Sequence, residues 1–176
     1  MNYKSVAVFC GSKFGNHPLY KTHAIELGRL IAFNKQTLVY GGGSVGLMGA
    51  VSDAVLESNG KVIGVIPDLL KNREIHHPHL NELIVVPDMH TRKKKMYELC
   101  DAAIILPGGF GTLDELFEML TWNQLNIHDK KIILLNSGGF YDHLIAHLLQ
   151  MQNEGFLYEA VESRITICST PLEIYR

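Results

Sequence analysis

The sequence predicts an α/β fold: a doubly wound, Rossmann-like parallel sheet with helices on both faces, in a single domain over residues 1–176. Short apolar runs rich in β-forming residues alternate with helical patterns from end to end. The runs are continuously apolar, as in strands that are buried on both faces of a parallel sheet. Two of them lead into glycine-rich turns that open helical patterns. A chain of 176 residues is long enough for one well-packed domain and too short to suggest two.

The apolar runs define seven predicted strands: residues 6–10, 37–40, 62–66, 83–86, 102–106, 132–135 and 165–168. Helices are expected over residues 18–33, where Pro18 suits a first helical turn, and over residues 47–58. Residues 67–79 are irregular and polar, which predicts a loop. In such a sheet, ligands collect at the carboxyl ends of the strands.

Composition excludes several classes of protein. The net charge of −2 gives no general attraction to nucleic acid or to an anionic membrane. No apolar run approaches the length of a spanning helix, and the N-terminus lacks a signal-peptide layout. Cys10, Cys100 and Cys168 are odd in number and far apart, which argues against a disulfide framework or a zinc site. We therefore expect a cytoplasmic protein with no nucleic-acid or membrane partner.

One glycine loop is the most informative stretch. It follows the fifth predicted strand, precedes an apolar helical pattern, and reads Pro107-Gly108-Gly109-Phe110-Gly111-Thr112-Leu113-Asp114-Glu115. Glycines let backbone N–H groups approach a ligand, and a helix start adds unpaired N–H groups and a positive dipole end. Thr112 and Glu115 also have the spacing of a capping box, which ordinary helices use. Capping explains those two residues but not three glycines, so an anion site is favoured.

A second glycine loop follows the second strand. Residues 41–49 contain Gly-x-Gly-x-x-Gly, which ordinarily suggests a dinucleotide. This copy belongs to the second βα unit, however, and the loop at Gly108 competes for the phosphate. The loop is not a P-loop either, because Leu47 stands where the phosphate-binding lysine would be. Two facing glycine loops suit one mononucleotide better than NAD.

Cys10-Gly11-Ser12 ends the first strand at the same edge. Ser12 could donate a hydrogen bond to a nucleotide or simply serve the local backbone. No His or Asp is visibly paired with Cys10, so a buried structural thiol is favoured over a nucleophile.

Four consecutive basic residues, 92–95, would usually be a solvated helix face, and Lys94 and Lys95 fit that description. Arg92 and Lys93 differ because they lie within two turns of a strand's carboxyl end. A forked guanidinium there could hold a phosphate or the edge of a base.

Histidines suggest a metal at two places. His76, His77 and His79 have no cysteine or carboxylate at a convincing ligand spacing, so a solvated or substrate-covering loop is the better interpretation. His143 and His147 are one helical turn apart, but Leu144 replaces the glutamate of the zinc motif. No metal is predicted.

Residues 107–115 match the Pro-Gly-Gly-x-Gly-Thr-x-x-Glu signature of the LONELY GUY (LOG) family, and the chain resembles that family. The likeness extends over nearly the whole chain, through Cys10-Gly11-Ser12, residues 41–49, Glu74, Met89-His90-Thr91-Arg92-Lys93 and Trp122-x-Gln124-Leu125. It implies a nucleoside 5′-monophosphate phosphoribohydrolase that needs no cofactor. Two residues depart mildly from the sequence common in the family: Asp114 stands where Glu is frequent, and Asn126 stands in place of the usual Gly. Like Gly, Asn tolerates the left-handed conformation that a helix end often needs.

The resemblance also implies residue roles. Arg92 and Glu115 would be catalytic. The expected substrate-binding residues are Ser12, Gly43, Gly46, Glu74, Met89, Lys93, Gly108, Gly109, Phe110, Gly111, Thr112, Leu113, Asp114 and Thr121. Thr121 could equally be a packing residue.

The helix after the central loop is apolar around more than one stripe, so it must be covered on several sides. It is either sandwiched inside the domain or part of a subunit interface. Family members commonly dimerise through helices near the site, so the resemblance favours a homodimer. The apolar residues are Leu113, Leu116, Phe117, Met119, Leu120, Trp122, Leu125 and Ile127.

The predicted reaction is hydrolysis of the N-glycosidic bond of AMP or an N6-substituted (cytokinin) nucleotide, giving free base and ribose 5-phosphate. The alternative is a non-catalytic carrier or sensor of a nucleotide or a molybdopterin-type cofactor on the same fold. Lysine decarboxylation, a label that the family has carried, has the least support, because no residue pattern identifies a Schiff-base lysine and a pyridoxal phosphate pocket.

Overall fold

The computed structural model describes residues 3–71 and 76–176. Its strands are β1 (Ser5–Phe9), β2 (Thr37–Tyr40), β3 (Lys61–Pro67), β4 (Glu82–Val86), β5 (Ala102–Ile105), β6 (Lys131–Leu135) and β7 (Ile165–Cys168). They form one sheet in the order β4-β3-β2-β1-β5-β6-β7, and every neighbouring pair is parallel. The predicted doubly wound parallel sheet is confirmed.

The helices lie between the strands. They are α1 (Pro18–Phe33), α2 (Gly46–Glu57), α3 (Asp68–Lys71), α4 (Met89–Leu99), α5 (Phe110–Gln124), α6 (Asp142–Asn153) and α7 (Val161–Arg164), with 3₁₀ turns at Ser137–Gly139 and Pro171–Tyr175. The predicted helix over residues 18–33 is confirmed to the residue. The one-turn α3 lies in the segment, residues 67–79, for which the sequence predicts only a loop. Within the described part of the chain, no helix has the length and apolar character to cross a membrane.

Thr112 and Glu115 have the spacing of a capping box but do not form one. Helix α5 begins earlier, with Gly109 as its extended N-cap residue (φ −99°, ψ −152°) and no side chain to cap it. Thr112 is the third helical residue and Glu115 the sixth, which places Glu115 beyond the turn whose amides a cap serves. The helix can start at once because Gly108 lacks a side chain: a Cβ there would overlap the Thr112 hydroxyl.

Each central strand contributes to two cores. Alternate residues point to opposite faces, so Val6 and Val8 pack with α1 and α2, whereas Ala7 and Phe9 pack with the layer of α4, α5 and α6. Every one of these side chains is at most 2% exposed. Burial on both faces explains why the strands are continuously apolar in sequence.

The strand order reverses between β1 and β5. The chain winds outward from β1 through β2, β3 and β4, then returns to pair β5 with the other side of β1. Connections after these two strands leave on opposite sides, which opens a crevice at their carboxyl ends. The loops after β1 and β5, residues 10–12 and 107–109, border that crevice.

Candidate active site

Three loops are joined at Gly11, directly above the crevice. The N–H of Gly11 donates to the carbonyl of Pro107 (3.0 Å), and the carbonyl of Gly11 accepts from the N–H of Leu47 (3.1 Å). These bonds tie the loop after β1 to the loop after β5 and to the start of α2. Gly46 permits the contact: its φ is +61°, and a Cβ there would overlap the carbonyl of Ser12.

A cleft of about 940 Å³, measured with its open mouth, lies at this junction. Its floor is the end of β1 and its walls come from the loops and helices that follow β1, β2 and β5, together with α4. The lining residues are Val8, Phe9, Cys10, Gly11, Ser12, Gly41, Met48, Met89, Arg92, Gly109, Phe110, Gly111, Thr112, Asp114 and Glu115. A cleft at a topological switch point is where this fold class binds ligands.

The start of α5 forms one wall of the cleft. The first helical amides, of Phe110, Gly111 and Thr112, have no carbonyl within the helix to receive them, because the first helical bond is from Leu113 N–H to the Gly109 carbonyl (3.1 Å). Both Gly109 and Gly111 face open space, so a ligand can approach the backbone there. The arrangement suits an anion.

Arg92 is buried, at 8% exposure, and is anchored by main-chain carbonyls. Its Nε donates to the carbonyl of Val65 (3.1 Å) within β3, and its Nη2 to the carbonyl of Gly41 (3.3 Å) after β2; Nη1 lies 3.7 Å from the sulfur of Met89. A guanidinium carries five N–H donors. Two are used by the carbonyls, which leaves others for a ligand in the cleft.

Glu115 is the buried carboxylate of the cleft, at 9% exposure. Burial raises its pKa to about 7; Arg92 and Lys93 lower the pKa, whereas Asp114 and Glu118 raise it. Keeping this buried carboxyl ionised costs free energy, and such perturbed groups are typical of active sites.

Lys93 and Asp114, both predicted to bind substrate, contact each other. The Lys93 ammonium lies 3.0 Å from Asp114 Oδ2 and 3.1 Å from Glu118 Oε1, between α4 and α5. Asp114 also lines the cleft, whereas the ammonium of Lys93 is turned toward α5. Lys94, the next basic residue, is exposed to solvent, as predicted.

The second glycine loop contributes less to the cleft than the first. Gly41 and Met48 line it. Gly43 forms a bridge with His76, and the carbonyl of Gly42 accepts from the N–H of His77 (2.9 Å). Gly46 packs against Ser12, as described above. Gly43 and Gly46 were predicted to bind substrate; their contacts within the chain shape the loops.

The remaining predicted residues are dispersed. Ser12 is exposed and lines the cleft, and Phe110 stands at its mouth with 93% of its surface exposed. Leu113 packs into the core beneath α5. Thr121 donates its hydroxyl to the carbonyl of Phe117 (2.7 Å) and lines a separate groove between α5, α6 and α7. Glu74 lies outside the described residues.

The loop that carries His76, His77 and His79 contacts α2 through His77. His77 is buried, and its Nε2 lies 2.8 Å from Asp53 Oδ1, while its Nδ1 accepts from the N–H of His79 (3.2 Å). Among the residues that the structure describes, no cluster of three His, Cys, Asp or Glu side chains could hold a metal ion. Cys10 is buried, and burial raises the pKa of its thiol, so the thiolate that a nucleophile requires is disfavoured.

Comparison with known proteins places the chain in a family. The sequence model of a family described as "Possible lysine decarboxylase" matches residues 48–176. A cytokinin riboside 5′-monophosphate phosphoribohydrolase of Arabidopsis thaliana is 48% identical over 169 residues, covering 96% of this chain and 78% of that protein. One of the same name from Rhodococcoides fascians is 48% identical, covering 94% and 84%. The chain belongs to the LONELY GUY (LOG) family.

Solved structures agree on the fold. The molybdenum cofactor binding protein of Rippkaea orientalis has a TM-score of 0.74 and 26% identity, covering 99% of this LOG chain and 94% of that protein. A Moco carrier protein of Chlamydomonas reinhardtii has a TM-score of 0.70 and 19% identity, covering 97% and 92%. The second likeness concerns the fold alone.

Sequence reasoning missed several residues of this LOG cleft. Gly41 and Val65 hold the guanidinium of Arg92 through their carbonyls, and Met48 lines the wall. Main-chain contacts of this kind leave no signature in side-chain type. Gly41 alone carried a signal, as the first glycine of Gly-x-Gly-x-x-Gly.

The raised pKa of Glu115 predicts a pH-dependent stability. Between pH 4.5, the group's ordinary pKa, and about 7, the unfolded chain has released a proton that the folded chain keeps, so folded-state stability falls as the pH rises through this window. Glu115→Gln removes the titration and should be more stable than wild type at pH 8, by roughly 3 kcal/mol at most, and by much less at pH 5.

Urea unfolding at the two pH values measures this difference. Glu154→Gln changes an exposed glutamate and serves as the control, for which we expect no such gain at pH 8. If Glu115→Gln and wild type differ in stability by the same amount at pH 5 and pH 8, burial does not raise the pKa of Glu115.

Proposed function

We propose that this LOG protein hydrolyses the N-glycosidic bond of a purine nucleoside 5′-monophosphate, AMP or an N6-substituted relative, to free base and ribose 5-phosphate. The observation that carries the proposal is the pairing of a buried cation, Arg92, with a buried carboxylate, Glu115, in one cleft beside an open helix N-terminus. Relatives at 48% identity are named as phosphoribohydrolases of cytokinin riboside 5′-monophosphates.

The phosphate belongs at the start of α5. The amides of residues 110–112, with the loop glycines around them and Ser12 across the cleft, offer donors and the positive end of the helix dipole to a dianion. Gly108, Gly43 and Gly46 support this site by allowing the loops to approach each other. Glu74 is assigned to the pocket by family resemblance.

With the phosphate there, the ribose lies over Glu115 and the base toward Arg92 and Met89. Glu115 is the sixth residue of α5 and lies four residues after Gly111, the middle of the three amides that hold the phosphate, which is about one turn and roughly 6 Å along the axis at 1.5 Å per residue. This spacing suits the reach from a 5′-phosphate to its sugar ring.

Breaking the glycosidic bond builds positive charge on the ribose and negative charge on the departing base. The Glu115 carboxylate stabilises the first charge, binds the ribose hydroxyls and orients the attacking water. The Arg92 guanidinium, already positioned by the carbonyls of Val65 and Gly41, stabilises the second. An arginine is a poor proton donor at neutral pH, so its contribution is electrostatic.

A non-catalytic carrier is the alternative, because a molybdenum cofactor binding protein has the same fold at 26% identity. The pair of buried opposite charges argues against it. Holding a ligand does not require a carboxylate at a cost in stability, whereas stabilising a transient positive charge does.

Assembly and location follow from two further observations. Helix α5 keeps Leu116 and Met119 in the core, whereas Phe117 on the helix and Leu125 and Ile127 just after it are exposed beside an apolar groove that continues onto α6 and α7. We propose that a second copy covers this face in a two-fold homodimer, with Thr121 in the interface. Cys10, Cys100 and Cys168 are free and buried, which fits a reducing cytoplasm.

Release of free base tests the reaction. Wild-type protein incubated with AMP or an N6-substituted adenosine monophosphate should yield base and ribose 5-phosphate. Glu115→Gln should fold, bind nucleotide at least as well, because a neutral side chain repels the phosphate less, and turn over roughly a hundredfold more slowly or worse. Chromatography of products and equilibrium binding separate the two effects. Stoichiometric binding without product by wild type would establish the carrier instead.

Arg92→Ala should lower affinity and rate together, because the guanidinium can contact both ground and transition states. The matched control is Lys94→Ala, which removes a neighbouring positive charge that is exposed to solvent. Steady-state kinetics should show a large loss in kcat/KM for the first and little change for the second. Equal losses would mean that the basic run acts only as a general surface charge.

The homodimer predicts a solution mass of twice the chain's 19.7 kDa. Light scattering at micromolar concentration measures it. Leu125→Glu places a charge on the exposed apolar face and should shift the protein toward monomer, whereas Phe33→Glu, on the distant end of α1, should not. A wild-type protein that is monomeric under these conditions rules the dimer out.

A further inference from the structure

The sequence neighbours of the two proposed catalytic residues meet between α4 and α5. Lys93 follows Arg92 on α4, and Asp114 precedes Glu115 on α5. The Lys93 ammonium lies 3.0 Å from Asp114 Oδ2 and 3.1 Å from Glu118 Oε1. The Lys93 side chain is only 8% exposed. An ion pair of this kind joins the helix that carries the cation to the helix that carries the carboxylate.

Tyr97 completes the cluster on the core side. Its hydroxyl donates to Glu118 Oε2 (2.7 Å), so each carboxylate oxygen of Glu118 has its own partner. The Tyr97 ring is 1% exposed and is held edge-on by Phe9 and Trp122, with ring centroids 6.0 Å and 5.2 Å away. Fixed packing at one end and a charge-assisted contact at the other leave Glu118 and Lys93 little freedom.

The Lys93 ammonium therefore interacts with side chains of the protein and is not free to bind a ligand. Burial by itself would lower its pKa, but the hydrogen bonds to Asp114 and Glu118 outweigh burial and raise the pKa, so the side chain remains an ammonium. Two of its three N–H donors are directed at carboxylates. A phosphate would have to compete with both carboxylates to bind it.

We propose that Lys93 is a positioning residue: with Asp114, Glu118 and Tyr97 it locks α4 to α5, and so fixes both the placement of Arg92 relative to Glu115 and the charge that surrounds Glu115. This inference rests on the proposed hydrolase function for its kinetic consequences. Its structural consequence, the environment of the Glu115 carboxyl, holds with or without turnover.

Glu115 is surrounded by charged and titratable groups from three elements. Arg92, Lys93 and Tyr97 face it from α4, Asp114 and Glu118 from α5, and Cys10 from the end of β1. Arg92 and Lys93 favour the carboxylate, and Asp114 and Glu118 favour the protonated acid. Removing Lys93 or removing Asp114 therefore moves the titration of Glu115 in opposite directions, whereas simple loosening of the structure would move both variants alike.

The test compares Lys93→Met with Asp114→Asn. The acidic limb of the kcat–pH profile for base release should move up by roughly 0.5–1 pH unit in Lys93→Met and down by a similar amount in Asp114→Asn. In Lys93→Met, kcat should also fall about tenfold or more with KM within about threefold, because the ammonium positions groups and does not touch substrate. Lys93→Arg keeps the positive charge, so the acidic limb of its kcat–pH profile should lie at the wild-type pH.

Controls separate the cluster from general effects. Lys94→Met removes the same charge from the exposed neighbour and should leave both the limb and kcat unchanged. If Lys93→Met alone fails to fold, Lys93→Met with Glu118→Gln removes the cation together with the more buried of its two carboxylates; it should fold while still lowering kcat.

A second measurement is independent of turnover. The carboxyl ¹³C resonance of Glu115, identified by its loss in Glu115→Gln, can be titrated without nucleotide. Opposite shifts of its midpoint in Lys93→Met and Asp114→Asn support the proposal even in a protein that hydrolyses nothing. An unmoved midpoint, together with a raised KM and an unchanged kcat in Lys93→Met, would make Lys93 a substrate ligand and overturn the proposal.

Discussion

The site depends on the close approach of three backbone loops. Gly11 accepts from the start of α2 and donates to the loop after β5, so segments that are far apart in sequence are fixed relative to one another. The contact is possible only because the facing positions, Gly46 and Gly108, carry no side chain. Parallel strands supply the common edge, and the glycines allow their loops to be joined there. The cleft is the space that remains between them.

That space is charged, although the fold around it is apolar. Arg92 is accommodated because its N–H groups exchange water for the main-chain carbonyls of Gly41, just after β2, and Val65, within β3. Glu115 is accommodated less well, and burial holds its pKa near 7. The contrast follows from donor and acceptor chemistry. Main-chain carbonyls are abundant at the carboxyl ends of strands and can satisfy a cation, but they offer nothing to an anion.

Sequence patterns predicted the sheet well because burial on both faces makes the central strands continuously apolar, and the two edge strands, β4 and β7, are largely apolar as well although they are partly exposed. They predicted the start of α5 badly. Thr112 and Glu115 have capping spacing, but Gly109 begins the helix three residues earlier. The spacing of two residue types cannot show where the chain first turns, since that depends on how closely Gly108 approaches the neighbouring loop.

The basic run shows a similar limit. Lys93 and Lys94 are identical in type and adjacent, yet one is enclosed between two helices and the other is exposed. Rotation by one residue around a helix decides between these environments, and only the packing of α4 against the sheet fixes that rotation. The apolar character of α5 was similarly ambiguous. Both its core face and its exposed face carry apolar residues, and the structure distinguishes Met119 from Phe117 by burial.

The buried cysteines have a practical consequence. Burial raises the thiol pKa of Cys10, Cys100 and Cys168 alike, so little thiolate forms near neutral pH and alkylating reagents react slowly with all three. The native cysteines therefore contribute little background when an introduced cysteine is labelled. A single cysteine placed on the exposed surface of α1 would be the preferred point of attachment for a fluorophore or spin label. Movements of the loops around the cleft then become measurable without first removing the native thiols and disturbing the core that holds the site together.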